Sequence, residues 1–134
     1  MPPSNLDELL QQWEHNYKKG LLTFWILLAL AERPMYAYEM QAKIEEFSQG
    51  SICADENSIY RALRRFAKAR LVSSERRPSD LGPDRKYFHL TPKGQELLAL
   101  FIQRNILVFQ TGAVRAAIST FLETFEQNRK TLTG

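Results

Sequence analysis

The chain has 134 residues, 44% of them apolar and 25% charged, with eighteen basic residues against fifteen acidic ones. That composition fits one globular module with flanking helices rather than several domains. A single cysteine, Cys53, excludes a disulfide framework and a zinc site built on paired cysteines, and its place near a turn reads as a passive small residue.

The N-terminal stretch is polar and acidic at its start, with no leader pattern, so the expected location is cytoplasmic. Leu6, Leu9, Leu10, Trp13 and Tyr17 recur at i, i+3, i+4, i+7 and i+11, which predicts an amphipathic helix within residues 1–19. Leu21 to Leu30 is apolar except for Thr23. Ten such residues fall short of the roughly 20 that cross a bilayer, so this is expected to be a buried core helix with no membrane partner. Pro34 should stop it. Tyr36, Met40, Ile44 and Phe47 then keep helical spacing, predicting a second helix over 36–47 that ends at Ser48-Gln49-Gly50-Ser51.

Asp55 stands where an N-cap belongs, with Glu56 in the first turn of a third helix. On a wheel at 100° per residue, Ile59, Ala62, Leu63 and Phe66 form one face and Asn57, Arg61, Arg64 and Lys68 the opposite one, with Ser58 and Arg65 beside them. Arginine and asparagine can each make two hydrogen bonds to a base edge, while lysine suits phosphates. The N-terminal part of such a helix enters the major groove, so Asn57, Ser58 and Arg61 are expected to read bases, and Arg64, Arg65 and Lys68 to hold phosphates. Tyr60 lies at the edge of the apolar stripe, where packing and DNA contact are both open.

Leu71 to Arg77 and Arg85 to Leu90 read as two strands of a hairpin, and Pro78 to Asp84 as its loop, with the prolines expected to extend neither strand. Arg76 and Arg77 sit at one shoulder, Ser79 in the loop, and Arg85 and Lys86 at the other shoulder. From Asn57 to Gly94 ten basic residues outnumber three acids, a local charge of +7, against −4 for the rest of the chain. Such segregation presents one face to polyanions.

After Gly94 the pattern is helical to about Gln127, with Gly112 a candidate bend and the polar tail from Asn128 to Gly134 expected to fray. Phe101, Ile102, Phe109, Ile118, Phe121, Leu122 and Phe125 do not form a narrow stripe, so one side must be buried on a partner. With Leu6, Leu10 and Trp13 they are the predicted dimer interface. His15 and His89, the only histidines, have no pattern linking them to a nucleophile, and no phosphate-cradling glycine loop or metal-ligand spacing occurs. No enzyme and no cofactor is expected. The resulting architecture is α+β and mostly α: a winged helix-turn-helix over 20–91, an extra N-terminal helix over 1–19, and a long C-terminal dimerisation helix over 92–134.

Three motifs in order resemble the PadR family of transcriptional regulators. Arg33-Pro34-Met35-Tyr36-Ala37-Tyr38-Glu39-Met40 resembles its Pro-x-Tyr-Gly-Tyr-Glu motif. Ser58 to Phe66 is similar to its Thr-Leu-Tyr-Arg-Ala-Leu-Arg-Arg-Leu helix. Gly82 to Phe88 with Leu90-Thr91-Pro92-Lys93-Gly94 resembles its wing and the entry to its last helix. The resemblance runs from Leu21 to Gly94 and implies a homodimeric repressor on a palindromic promoter operator of double-stranded DNA, often with a small-molecule input. Two residues depart from the pattern. Ala37 replaces a glycine, which affects close backbone approach, and Arg70 replaces the glycine that ends the recognition helix, implying a poorer C-cap or a left-handed arginine. Two other readings use the same residues: a winged-helix adaptor docking an acidic protein, and a ligand-responsive regulator in which Trp13, Trp25 or Phe109 lines a pocket for an aromatic effector.

Overall fold

The computed structural model describes residues 5–133, so the parts of the predicted terminal segments at residues 1–4 and 134 lie outside the described residues. The chain falls into two units that divide between Leu98 and Ala99. The first begins with α1 (Leu6–Glu32), in which the amphipathic stretch and the core stretch form one unbroken helix of 27 residues. Asn5 caps it by accepting a hydrogen bond from the Glu8 N–H at 2.8 Å. Only its C-terminal half is buried, at Ile26, Leu27, Ala29 and Leu30.

Arg33 leaves α1 in an extended conformation before Pro34, as the proline demands. The extended backbone then lets Met35 bridge to Phe88, with N–H···O bonds of 3.1 and 2.8 Å in the two directions. This single-residue third strand is invisible to pattern reading, because one residue has no periodicity. Next come α2 (Ala37–Phe47) and α3 (Glu56–Lys68). Helices α2 and α3 pack together, with Met40 and Ile44 of α2 and Ile59, Leu63 and Phe66 of α3 buried, and Val72, Phe88 and Leu90 of the sheet buried as well. Ala37 is buried at the start of α2.

Both helices end in the same way. Gln49 and Arg70 are left-handed, at φ 53° and 63°. In each, the residue after the cap bonds back to the third-last carbonyl region of the helix: Arg70 N–H to Ala67 O at 3.0 Å and Leu71 N–H to Phe66 O at 2.9 Å, matched by Gln49 to Glu46 and Gly50 to Glu45. These are complete Schellman caps, and buried Leu71 and Phe66 supply the apolar pair that accompanies one.

The hairpin corrects the sequence reading. β1 (Val72–Ser79) and β2 (Gly82–Leu90) pair antiparallel almost to the tip, leaving Asp80 and Leu81 as the turn. The prolines are inside the strands because they stand at an irregularity. Arg77 pairs with Arg85 and Ser79 with Gly82, so Pro78 alone faces Pro83 and Asp84, where no ladder donor is required. Leu71 belongs to the cap of α3 rather than to β1.

α4 (Pro92–Phe101) is stitched to the end of α3. Thr91 Oγ1 donates to Arg70 O at 2.7 Å and accepts from the Gly94 N–H at 3.1 Å, Thr91 N–H reaches Leu71 O at 3.1 Å, and Lys93 Nζ donates to Ala69 O at 2.9 Å. Gly94 is required here: a β-carbon would overlap the Leu71 carbonyl oxygen and lie 2.9 Å from Leu90 Cδ2.

The second unit continues from Ala99 through a π-helical turn (Ile102–Ile106) and a tight turn (Leu107–Gln110) to α5 (Gly112–Thr133). The helix predicted to run on from Gly94 is thus interrupted at Thr111, which is extended, next to the glycine expected to bend it. Thr111 Oγ1 accepts from the Val114 N–H at 3.4 Å and restarts the helix. The polar tail does not fray within the described residues: α5 persists through Thr133, where Thr131 Oγ1 donates to Gln127 O. No single helix among the described residues is long and apolar enough to cross a membrane.

Candidate nucleic-acid interface

Local chemistry sets the start of α3. Asp55 accepts from the Ser58 N–H at 2.7 Å, and that backbone hydrogen bond, with a smaller contribution from the Ser58 side chain, holds its carboxyl below the usual carboxylate range. With Ile59, Ala62, Leu63 and Phe66 buried, Asn57, Arg61, Arg64, Arg65 and Lys68 are all exposed on the far side. Ser58 is half-buried and accepts a hydrogen bond from Arg61 Nη2 at 3.2 Å, so the two proposed readers are already oriented together. Tyr60 is 37% exposed and sets its ring edge against Phe88 at 6.5 Å. It therefore packs and also faces solvent, lining two concavities beside the wing that share Lys86.

The four wing cations are divided between the faces of the hairpin. Arg76 lies opposite Lys86, and Arg77 opposite Arg85. Like charges directly across a ladder destabilise it unless something neutralises them. On the outer face that is done internally. Glu75 Oε1 accepts from Arg77 Nε at 2.9 Å and Nη2 at 2.7 Å. Arg77 also covers the Tyr87 ring at 4.4 Å, and Arg85 covers Tyr36 at 4.5 Å while donating to its hydroxyl at 2.8 Å. Tyr36 meets Tyr87 edge-on at 5.3 Å, closing a stack of alternating cations and rings.

The inner face has a single, longer ring contact and no paired acid. Lys86 lies 5.6 Å from the Phe88 ring, and neither Arg76 nor Lys86 has an acidic partner among the described residues. The same holds for Arg64, Arg65 and Lys68 on α3, while Arg61 forms no ion pair but lies near enough to Asp55 for its charge to help hold that carboxyl down. Arg76, Lys86 and Tyr60 border a concavity of about 420 Å³ that also takes in Ser79 and Arg85, while Asn57, Arg64 and Lys86 border a second of about 370 Å³ between α3 and the wing. Sequence reading found the cations but missed Tyr36, which positions Arg85 from 49 residues away. Only the Arg33-to-Met40 motif pointed to it.

The predicted dimer residues are placed as follows. Leu6, Leu10 and Trp13 are exposed on α1, with Trp13 74% accessible. In the second unit Phe101 and Ile102 are half-buried, and Phe109, Ile118, Phe121, Leu122 and Phe125 are exposed, Phe121 at 66%. Phe121 and Phe125 stack at 6.2 Å. Trp25 packs instead between Phe24 and Phe47, at 5.2 and 6.4 Å. Cys53 is exposed, and no cluster of three metal-ligating side chains occurs among the described residues.

A buried helix pair, a cationic third helix and a two-stranded basic wing define the winged helix-turn-helix class. The PadR-like family of transcriptional regulators matches residues 26–100, over half the chain. A PadR-like transcriptional regulator from Bacillus cereus is 35% identical, with 78% of this chain and 93% of that one covered and a TM-score of 0.58. A PadR-like transcription factor from Bacteroides fragilis is 28% identical over 87% of this chain and 97% of that one, at a TM-score of 0.54. Bacillus subtilis PadR, solved in complex with operator DNA, shares the fold at 15% identity and a TM-score of 0.59, over 82% of this chain and 62% of that one. The chain belongs to the PadR-like family of transcriptional regulators.

Proposed function

We propose that this regulator is a homodimeric repressor that binds a palindromic promoter operator of double-stranded DNA, with α3 in the major groove and the wing on the adjoining backbone. The observation that carries the reading is the row of exposed cations held in no ion pair, Arg61, Arg64 and Lys68 on α3 and Arg76 and Lys86 on the inner wing face, of which only Arg61 has an acid, the capping Asp55, near it. A duplex supplies the anions that this face lacks. Asn57, Ser58 and Arg61 are the base readers, and Arg64, Arg65, Lys68, Arg76, Lys86 and the Tyr36-held Arg85 contact phosphates. Arg77 is already paired with Glu75 and contributes through the stack rather than as a free cation.

The exposed apolar residues of α1 and α5 support the homodimer, because faces of that size are covered in a stable protein. Two-fold symmetry then places half-sites about 10 base pairs apart. An apolar groove of about 290 Å³ at Leu10, Trp13 and Tyr17 favours one addition, an aromatic effector seated beside Trp13, which quenching of tryptophan fluorescence by phenolic compounds would reveal.

Promoter footprinting tests the main reading. Arg61→Ala or Asn57→Ala should cost about 1–3 kcal/mol on the operator and far less on random duplex. Equal losses on both would remove these residues from base reading.

A further inference from the structure

α1 carries two faces in its exposed half. Leu6, Leu10, Trp13 and Tyr17 share one, and His15, Lys18, Lys19 and Leu22, at i, i+3, i+4 and i+7, lie on the opposite one. The second face lines a concavity of about 440 Å³ whose other wall is Ser51 to Asp55 together with Ser58 of α3. Ser58 is the residue that holds Arg61, so the basic side of α1 abuts the N-terminal turn of the proposed reading helix.

The position around α3 is informative. Asn57, Tyr60 and Arg64 border the wing side of α3, whereas Ser58 points to the other flank, toward α1. The exposed row of Arg61 and Lys68 lies between them on the wheel. A helix seated in a major groove has a phosphate backbone on each side, and the groove is about 12 Å wide. The wing accounts for one backbone. Resting on the DNA-binding reading above, we propose that Lys18 and Lys19 of α1 grip the other, so that α3 is straddled by two sets of phosphate contacts.

Lys19 has no acidic partner among the described residues. Lys18 is held by Glu14 at 3.1 Å, a half-exposed i,i+4 pair worth little in water, which a phosphate can replace. Asp55, the one acid in the concavity, spends its charge on the α3 cap. The face is therefore cationic toward a ligand, and the apolar side of the same helix stays free for another task.

The test is the salt dependence of binding to a mixed-sequence duplex of about three helical turns, followed by fluorescence anisotropy with the full chain. Each lost phosphate contact reduces the slope of log K against log salt by about 0.9, so in a homodimer, where each substitution occurs twice, Lys18→Gln with Lys19→Gln should lower it by about 3.6 and weaken binding by more than about tenfold at moderate salt. Lys18→Arg with Lys19→Arg should restore the slope, since either cation serves a phosphate. Lys86→Gln, on the inner wing face, is the comparator. If it lowers the slope and the double glutamine variant does not, α1 makes no backbone contact and the inference fails alone. If neither changes the slope, the DNA-binding reading fails with it.

Discussion

Arg70 is held left-handed at φ 63° so that Leu71 can close the cap of α3. A residue with a β-carbon loses about 1–2 kcal/mol in that conformation, part of which glycine recovers after its greater freedom in the unfolded chain is counted. Arg70→Gly should therefore raise stability by about 1 kcal/mol in urea unfolding, while removing a cation near the last turn of α3. A destabilised variant would show that the arginine side chain is held by contacts worth more than its strain. Asp55 is the second residue whose cost and benefit can be separated. The Ser58 N–H holds its folded carboxyl below the ordinary aspartate value, so its contribution is complete above that ordinary value and disappears as pH falls through the folded one. Asn at this position still caps but does not titrate. The Tm advantage of the parent over Asp55→Asn should shrink as pH drops below about 4, the window set by that depressed carboxyl, and parallel Tm curves would contradict the assignment.

At the scale of elements, the wing owes its shape to a contact between distant segments. Tyr36 lies at the start of α2, and its ring and hydroxyl both engage Arg85 of β2. A double-mutant cycle of Tyr36→Leu and Arg85→Ala should give a coupling of about 0.5–1 kcal/mol, with Tyr36→Phe retaining the part due to the ring. Zero coupling would mean that the stack does not order the wing in solution. Helices α2 and α3 and the buried half of α1 were legible because their apolar spacing, the N-cap Asp55 and the breaker at Ser48 to Ser51 all agree, whereas the change of periodicity near residue 20 hid that α1 is one continuous helix. The cationic face of α3 was legible for the same reason, since a helical wheel places Arg61 and Lys68 opposite Ile59 without any tertiary knowledge. The hairpin tip was misread because Pro78 and Pro83 signal a loop locally, and only the two-against-one mismatch between strands lets them stay in the ladder. The Met35 bridge and the Tyr36 contact depend on residues some fifty positions away, beyond any local pattern. Lys18 and Lys19 were passed over because the apolar spacing of their helix drew attention to its other side.

For the whole molecule, the proposed dimer assigns the exposed apolar surface of α1 and α5 to a second copy of the chain. Trp13→Asp or Phe121→Asp should then lower the molar mass in solution from that of two chains toward one and weaken operator binding far more than a single half-site loss, because two linked sites act at high effective concentration. An unchanged mass in both variants would remove these helices from the interface. Dissociation with intact folding is the expected result, since neither side chain is buried in its own unit. At the junction of α3 with α4, three hydrogen bonds and the bare Cα of Gly94 tie the cap that follows α3, Ala69 to Leu71, to Thr91 and the first turn of α4. The carbonyls of Ala69, Arg70 and Leu71 are thereby all taken up by Thr91 and Lys93, so the chain after the wing, rather than water, finishes the C-terminal end of the reading helix.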